Sequence, residues 1–473
     1  MESILTIGNN KSKCQHFTPE NIVESMLDLA GYKENLIGIT VLENSFGSGN
    51  IIKAIVKRYI EDALSKGISK RKIANGLASD IYGIELDEKL YSECIESLNL
   101  IAASYGITKV KWQLFNDNAL SHQYNSRSFD LVIGNPPYIS YKEIDEDNRQ
   151  FLKDNFTVCK LGKPDYCYAF IELGIKLLSE NGKLVQLIPN NIYKNVFAEQ
   201  LRSLLKPHIS AVRDYPNQKL FGKALTSISV FLYDKSDSSD KLDYENVTDG
   251  IKFSIPRAML ADKWLFAETE DAQSDYIRFG DIFNASVAIA TLCNKAFVLN
   301  PKTAEEKEIE ADVLRVTVSP KTLRYEKEKQ IIFPYFYKEG ILKKYDDFEQ
   351  RFPNATKHLN GFRKDLDDRD SDKSAKWYEY GRSQALAHLD SEKLLVSTII
   401  TNNVEIYQLD KTTIPYSGIY IVVTDKEYTL QDALDILSGE DFMDYVRSIG
   451  ISVNGRSLRI TCKDINNYRF RRR

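Results

Sequence analysis

The ten residues Phe129-Asp130-Leu131-Val132-Ile133-Gly134-Asn135-Pro136-Pro137-Tyr138 decide how the rest of the chain is read. Phe129 to Ile133 are mostly apolar and β-compatible, which reads as a short buried strand. The strand ends in Gly134. Pro136 then holds Asn135 extended, and neither proline donates to a ladder. The product is a stiff, non-helical loop at the carboxyl end of a strand. It offers one side-chain amide, backbone carbonyls and one aromatic face. These groups suit an amine attached to a planar ring, which is a poor nucleophile because its lone pair is delocalised. The Asn135 side-chain oxygen and the Pro136 carbonyl would accept its two N–H hydrogens and stabilise positive charge as it develops on nitrogen. Tyr138 would stack on the ring and align it. A plain proline-rich turn between a strand and a helix has the same local sequence, so the motif needs its context.

That context is a series of strand ends. His16-Phe17-Thr18-Pro19-Glu20 opens a helix, with Thr18 as N-cap and Pro19 at the first helical position. Ile39 to Leu42 form a strand that runs into Glu43-Asn44-Ser45-Phe46-Gly47-Ser48-Gly49-Asn50 and then a helix from Ile51 to Lys66. Strand, Gly-containing loop and helix make the first turn of an open α/β sheet, although neither GxGxxG nor a P-loop Lys is present. Ile81 to Ile84 form the next strand and end in Glu85-Leu86-Asp87. An acid at a second strand end is the expected acceptor for ribose hydroxyls. Glu85 follows Glu43 by 42 residues, so Lys66 to Ala78 reads as an insertion. A third strand, Val110 to Phe115, ends in Asn116-Asp117-Asn118, where Asp117 is either a ligand or an Asx turn. All four loops follow strands at their carboxyl ends, the ligand-binding edge of such sheets. Farther on, Lys183 to Ile188 and Leu225 to Tyr233 read as strands, and Asn190 to Leu205 as helix.

The chain has 473 residues, enough for two or three domains. At 43% hydrophobic and 27% charged it has ordinary globular composition. No apolar run is long enough to span a membrane, and Met1 to Gln15 lack a signal-peptide core. Six scattered cysteines without a CxxC pair suggest reduced thiols and a cytoplasmic location. Five histidines show no metal-binding spacing, so no protein-held metal is expected. The net charge of −4 decides nothing about nucleic acid, because local charge matters more.

Ser236 to Lys241 is polar and turn-rich, which sets an expected boundary between domains 1–236 and 237–473. The second half carries mixed short strands and helices. From Ile451 onward seven basic residues face one acid, Asp464, a pattern that suits either phosphate contacts or a frayed tail. Arg382, Gln384, Arg456 and Arg459 are the candidate DNA-contacting residues.

FTP, LENSFGSG, YGIELD, NDN, FDLVIGNPPY and LFGKALTSISVFLYDKS occur in that order, over about residues 16 to 236. Together they resemble the adenine-N6 DNA methyltransferases of restriction–modification systems of the TaqI and Eco57I type. The resemblance implies an α/β, Rossmann-like methyltransferase domain that binds S-adenosylmethionine, followed by a mixed α+β target-recognition domain. It implies double-stranded DNA as partner and base flipping, because a target inside a duplex must be extruded. By resemblance, Phe17 and Thr18 close over the methionine end of the cofactor. Glu43, Ser45 and Gly47 form its first loop, Glu85 accepts from its ribose hydroxyls, Leu86 also lines the cofactor, and Asp117 accepts from its adenine amine. Asn135, Pro136, Pro137 and Tyr138 form the catalytic turn, with Asn135 and Pro137 also against the cofactor. Tyr233 matches a second aromatic that stacks on the target base. NPPY rather than SPPY favours adenine over cytosine. Asn118 departs from the pattern, standing where an aromatic often packs on the cofactor adenine, and Asn44 replaces a common proline. No PD-(D/E)xK nuclease pattern is seen, so a separate cognate restriction endonuclease is the expected partner, or none. The alternatives are a modification subunit needing a partner, or a methyltransferase acting on RNA or on a protein glutamine amide. Oligomeric state is not readable.

Overall fold

A near-continuous apolar run along one strand implies two covered faces, and β4 (Phe129–Gly134) meets that expectation. Leu131 and Ile133 pack into one buried cluster, whereas Phe129 and Val132 pack into another. The computed structural model of the protein describes residues 18–218, 226–266, 276–453 and 457–472. It divides the chain into two compact units, 1–269 and 270–473.

In the first unit the elements follow the order α1 (Glu20–Ala30), β1 (Val41–Glu43), α2 (Asn50–Ser65), α3 (Lys70–Asp80), β2 (Ile81–Glu85), α4 (Glu88–Ser104), β3 (Gln113–Asn116) and then β4. After β4 come α5 (Glu146–Asn155), α6 (Cys167–Lys176), β5 (Leu178–Pro189), α7 (Glu199–Leu205), β6 (Ile209–Gln218), β7 (Thr226–Asp234), β8 (Lys241–Asn246) and β9 (Ile251–Pro256). Among the described residues nine strands make one sheet, ordered β3-β2-β1-β4-β5-β7-β6-β8-β9. The pairs from β3 through β5 are parallel, and β7 runs antiparallel to both β5 and β6. Helices α1 to α4 pack on one face through Ile22, Ile55, Ile73 and Leu98. Helices α5 to α7 cover the other through Leu152, Phe170 and Leu201. The expected α/β, Rossmann-like class is therefore observed, with a mixed α+β unit after it.

Four sequence expectations change. The expected boundary at residue 236 falls inside the first unit, because β8 pairs in parallel with β6 and β9 returns antiparallel on β8. Ser236 to Lys241 is thus a turn within a sheet. The insertion after Lys66 is the helix α3, capped by the Ser69 hydroxyl and anchored by Ile73 and Leu77. Residues 190–205 are two short 3-10 turns before α7, not one helix. Helix α1 begins at Glu20 with Pro19 in the cap position and no side-chain cap, so Thr18 does not cap it.

The second unit holds two four-stranded sheets among its described residues. One is ordered Phe283–Val287, Ile419–Val423, Lys393–Val396, Ile406–Leu409 and is antiparallel throughout. The basic end is not frayed: Arg469–Arg471 pairs antiparallel with Tyr276–Arg278, and Phe470 is buried between its exposed arginine neighbours.

Candidate active site

The chain passes from β1 outward through β2 to β3, then crosses to the other side of β1 for β4. The strand order reverses there, and in an open α/β sheet the crevice outside the carboxyl ends at that point is where ligands bind. Four of the predicted loops open on this edge.

The β1 loop is built for close backbone approach. Gly47 and Gly49 have φ of 53° and 83°, values that favour glycine, and Gly49 is the residue before α2. A Cβ at Gly49 would overlap the Cys94 sulfur. The Gly47 N–H donates to Glu85 Oε2 at 2.7 Å, and the Asp87 N–H donates to Glu85 Oε1 at 2.8 Å. One carboxylate at the end of β2 therefore holds both loops. Burial still pushes the Glu85 carboxyl above the usual range. Leu86, next to it, presents an exposed apolar side chain.

Glu43 closes β1 and is 2% exposed. Its Oε2 has no hydrogen-bond partner among the described residues, and burial raises its carboxyl well above the ordinary value. Such a carboxyl stays neutral until a cation arrives to pair with it.

Asn135 ties three segments together. Its Nδ2 donates to Thr18 Oγ1 at 3.1 Å, and its backbone carbonyl accepts from Ser45 Oγ at 3.3 Å. Thr18, freed from capping, thus takes the donor end of the amide, which turns Oδ1 the other way. Asn50 Nδ2 donates to the Thr18 carbonyl at 3.0 Å, so the segment before α1 is held against the start of α2. Tyr138 donates its hydroxyl to the Leu187 carbonyl at 2.9 Å, which pins the half-buried ring beside β5. Pro136 is buried and Pro137 half-buried. Asp117 follows β3, half exposed, with Oδ1 accepting from the Asn118 N–H and Oδ2 bonded to His122. The Asx turn at this loop belongs to Asn118, whose Oδ1 accepts from the Leu120 N–H at 3.0 Å.

Tyr233 is a correction. It pairs with Leu184, which is in register with Val132, and with Ile209, the first residue of β6. Because β7 runs antiparallel to those strands, Tyr233 lies back along the sheet from the carboxyl-end loops, behind Phe231, which shares the Gly134 row. Tyr233 is 5% exposed within the core, so its ring is not presented at the Asn135 loop. Phe17 and Arg456 lie outside the described residues.

Two residues were missed. Asn44 and Gln186 are 1% and 0% exposed, and their side-chain amides have no partner among the described residues. Gln186 lies in register with Gly134, and Asn44 Oδ1 would be 3.4 Å from a Cβ on Gly134. The Asn44 amide therefore faces the place where Gly134 has no side chain, with Gln186 beside it on the neighbouring strand. A lone Gln in the apolar strand KLVQLIP was the available signal.

In the second unit Arg382 pairs with Asp370 at 2.7 Å and Asp372 at 3.2 Å, so its guanidinium braces its own loop. Gln384 is exposed on a short 3-10 turn, and Arg459 is exposed on the strand Leu458–Arg459.

Comparison with known proteins agrees with this architecture. Residues 61–221 match the family described as Eco57I restriction-modification methylase. The chain is 26% identical over 238 residues to the type II methyltransferase M.BstVI of Geobacillus stearothermophilus, covering 48% of this chain and 42% of that protein. It is 24% identical over 346 residues to the type II restriction enzyme and methyltransferase RM.Eco57I of Escherichia coli, covering 60% and 33%. The chain thus spans less than half the length of these relatives. Among solved structures, the type IIL restriction-modification enzyme MmeI, determined in complex with DNA, superposes over 95% of this chain and 64% of its own, with TM-score 0.56 and 14% identity. Within the first unit, residues 61–221 therefore resemble an Eco57I-type restriction–modification methylase domain.

Proposed function

We propose that the chain transfers a methyl group from S-adenosylmethionine to the N6 amine of an adenine flipped out of duplex DNA, as the modification activity of a restriction–modification system. The observation that carries this reading is the position of Asn135-Pro136-Pro137-Tyr138. The turn closes β4 at the strand-order reversal and is bonded to both Thr18 and Ser45.

The residues present fit the cofactor. Glu43, buried with one oxygen unpartnered among the described residues, suits its ammonium group. Glu85 suits the ribose hydroxyls, Leu86 and Asp117 its adenine, and Ser45, Gly47 and Pro137 its approach to the loop edges. When bound, the cofactor supplies a methyl group on a positively charged sulfur. The protein's part is to hold and polarise the amine. Asn135 Oδ1 and the Pro136 carbonyl accept its hydrogens and favour the developing cation. Tyr138 stacks on the base, its hydroxyl fixed by Leu187. No covalent enzyme intermediate is needed.

Duplex DNA is the proposed substrate because restriction–modification relatives match both units and MmeI was solved with DNA. The second unit would read the target. Arg469 and Arg471, with Arg278 on the paired strand, present exposed cations suited to phosphates. Arg459 and Gln384 remain proposed contacts, whereas Arg382 would act by bracing its loop.

Asn135→Ala tests the assignment. Turnover should fall by about 10²- to 10³-fold, as for loss of a donor or acceptor aimed at developing charge. The dissociation constant for S-adenosylhomocysteine should change little. Equal loss of both would refute the catalytic role.

A further inference from the structure

The adenine-side loop contains a hydrogen-bonded chain that the reaction chemistry above does not use. Tyr82, on β2, places its hydroxyl 2.8 Å from His122 Nε2. The other ring nitrogen, Nδ1, is 2.7 Å from Asp117 Oδ2. The imidazole side chain is only 10% exposed, while Asp117 is 49% exposed. Aromatic rings enclose it: Phe115 at 5.1 Å, Tyr124 at 4.8 Å and Tyr82 at 6.0 Å between centroids. The Arg127 guanidinium lies over the Tyr82 ring at 5.3 Å. A carboxylate only accepts, so Nδ1 must carry the proton toward Asp117. Nε2 of the neutral ring then accepts from the Tyr82 hydroxyl. Both nitrogens are satisfied and the tautomer is fixed.

We propose that His122 is a positioning residue for the cofactor's adenine: held by Tyr82 within a ring of aromatics, it orients Asp117 so that the carboxylate accepts from the exocyclic amine. The inference rests on the proposed role of Asp117. One Asp117 oxygen is already turned inward by the Asn118 N–H. The bond from His122 fixes the rotation of the other and leaves its outward lone pair toward solvent. This cluster also stands where the chain has Asn118 in place of an aromatic, so the rings of this loop support the acid from behind.

The test compares binding of S-adenosylhomocysteine with its inosine counterpart, which lacks the amine, by calorimetry on the full chain. Wild type should prefer the adenine compound by about 10- to 100-fold at pH 8, the worth of one hydrogen bond to a charged group. Asp117→Asn should lose it. His122→Ala should reduce it about tenfold or more, and His122→Gln, which keeps a donor, should restore part of it. Nitrogen-15 spectra of the five imidazoles should show His122 protonated at Nδ1 in wild type, with Tyr82→Phe shifting that signal. Should Asp117→Asn keep the preference, the reading of Asp117 falls. Should Asp117→Asn lose it while His122→Ala matches wild type in preference, the role of His122 falls alone. An Nε2-protonated His122 would also overturn the proposal, even if His122→Ala failed to fold.

Discussion

Glu43 is costly to the fold, and its proposed role is to pair with the ammonium group of the cofactor. Its raised carboxyl adds stability only while protonated, so stability contributed by the neutral form is lost as pH rises past the ordinary carboxyl range toward the folded value. Glu43→Gln should therefore melt higher than wild type at pH 8, with the gain shrinking as pH falls toward 4.5, and should bind S-adenosylmethionine more weakly. Cofactor binding to wild type should release up to about one proton, read from calorimetry in buffers of different ionisation enthalpy, and Glu43→Gln should abolish the release. Gly49→Ala is the steric counterpart: a positive φ and overlap with Cys94 should cost about 1–3 kcal/mol in denaturant unfolding. At this scale the sequence was informative where local chemistry is self-contained. Thr18, Glu43 and Asn135 stand in the site. Their partners were not legible, because Thr18 next to a Pro-Glu helix start reads as a cap, while its real partner lies 117 residues away.

At the scale of elements, periodicity reports that a strand exists and is silent about its direction and neighbours. Tyr233 shows the consequence. A strand near the end of the domain was legible, yet its antiparallel run places the tyrosine in the core, back from the carboxyl-end loops. Tyr233→Phe should leave turnover and substrate KM within about twofold of wild type. Tyr233→Ala should cost about 3–5 kcal/mol of stability through the cavity it leaves. The same silence hid β8, which pairs with β6, and β9, which pairs with β8. In the second unit Lys393 sits fully buried on a central strand, its Nζ donating to the Asp410 carbonyl at 2.7 Å and the Thr413 carbonyl at 3.2 Å. Burial pulls its ammonium down to about 8. The folded state thus gives up its proton before the unfolded chain does, so this group's destabilisation is full below pH 8 and fades toward pH 10.5. Relative to Lys393→Met, wild type should gain up to about 3 kcal/mol between pH 7 and pH 10 in parallel urea titrations.

At the scale of the whole molecule, the two units divide the proposed work. The first half was largely legible because each of four loops follows a strand and each carries its own chemical signature. The second was legible only as mixed and basic at its end, since its sheets are assembled from strands far apart in sequence, such as Phe283–Val287 beside Ile419–Val423. The ordered strand Arg469–Arg471 turns the basic end into a surface with fixed geometry. Replacing Arg469 and Arg471 by Ala should weaken duplex DNA binding alike across sequences and lower the slope of log K against log salt by about 1 for each lost phosphate contact. The measurement that bears most directly on the central claim is nucleoside mass spectrometry of duplex DNA incubated with the protein and S-adenosylmethionine. The account predicts N6-methyladenine, absent when Asn135→Ala replaces wild type. N4-methylcytosine, or no methylated nucleoside despite demonstrated cofactor binding, would contradict it.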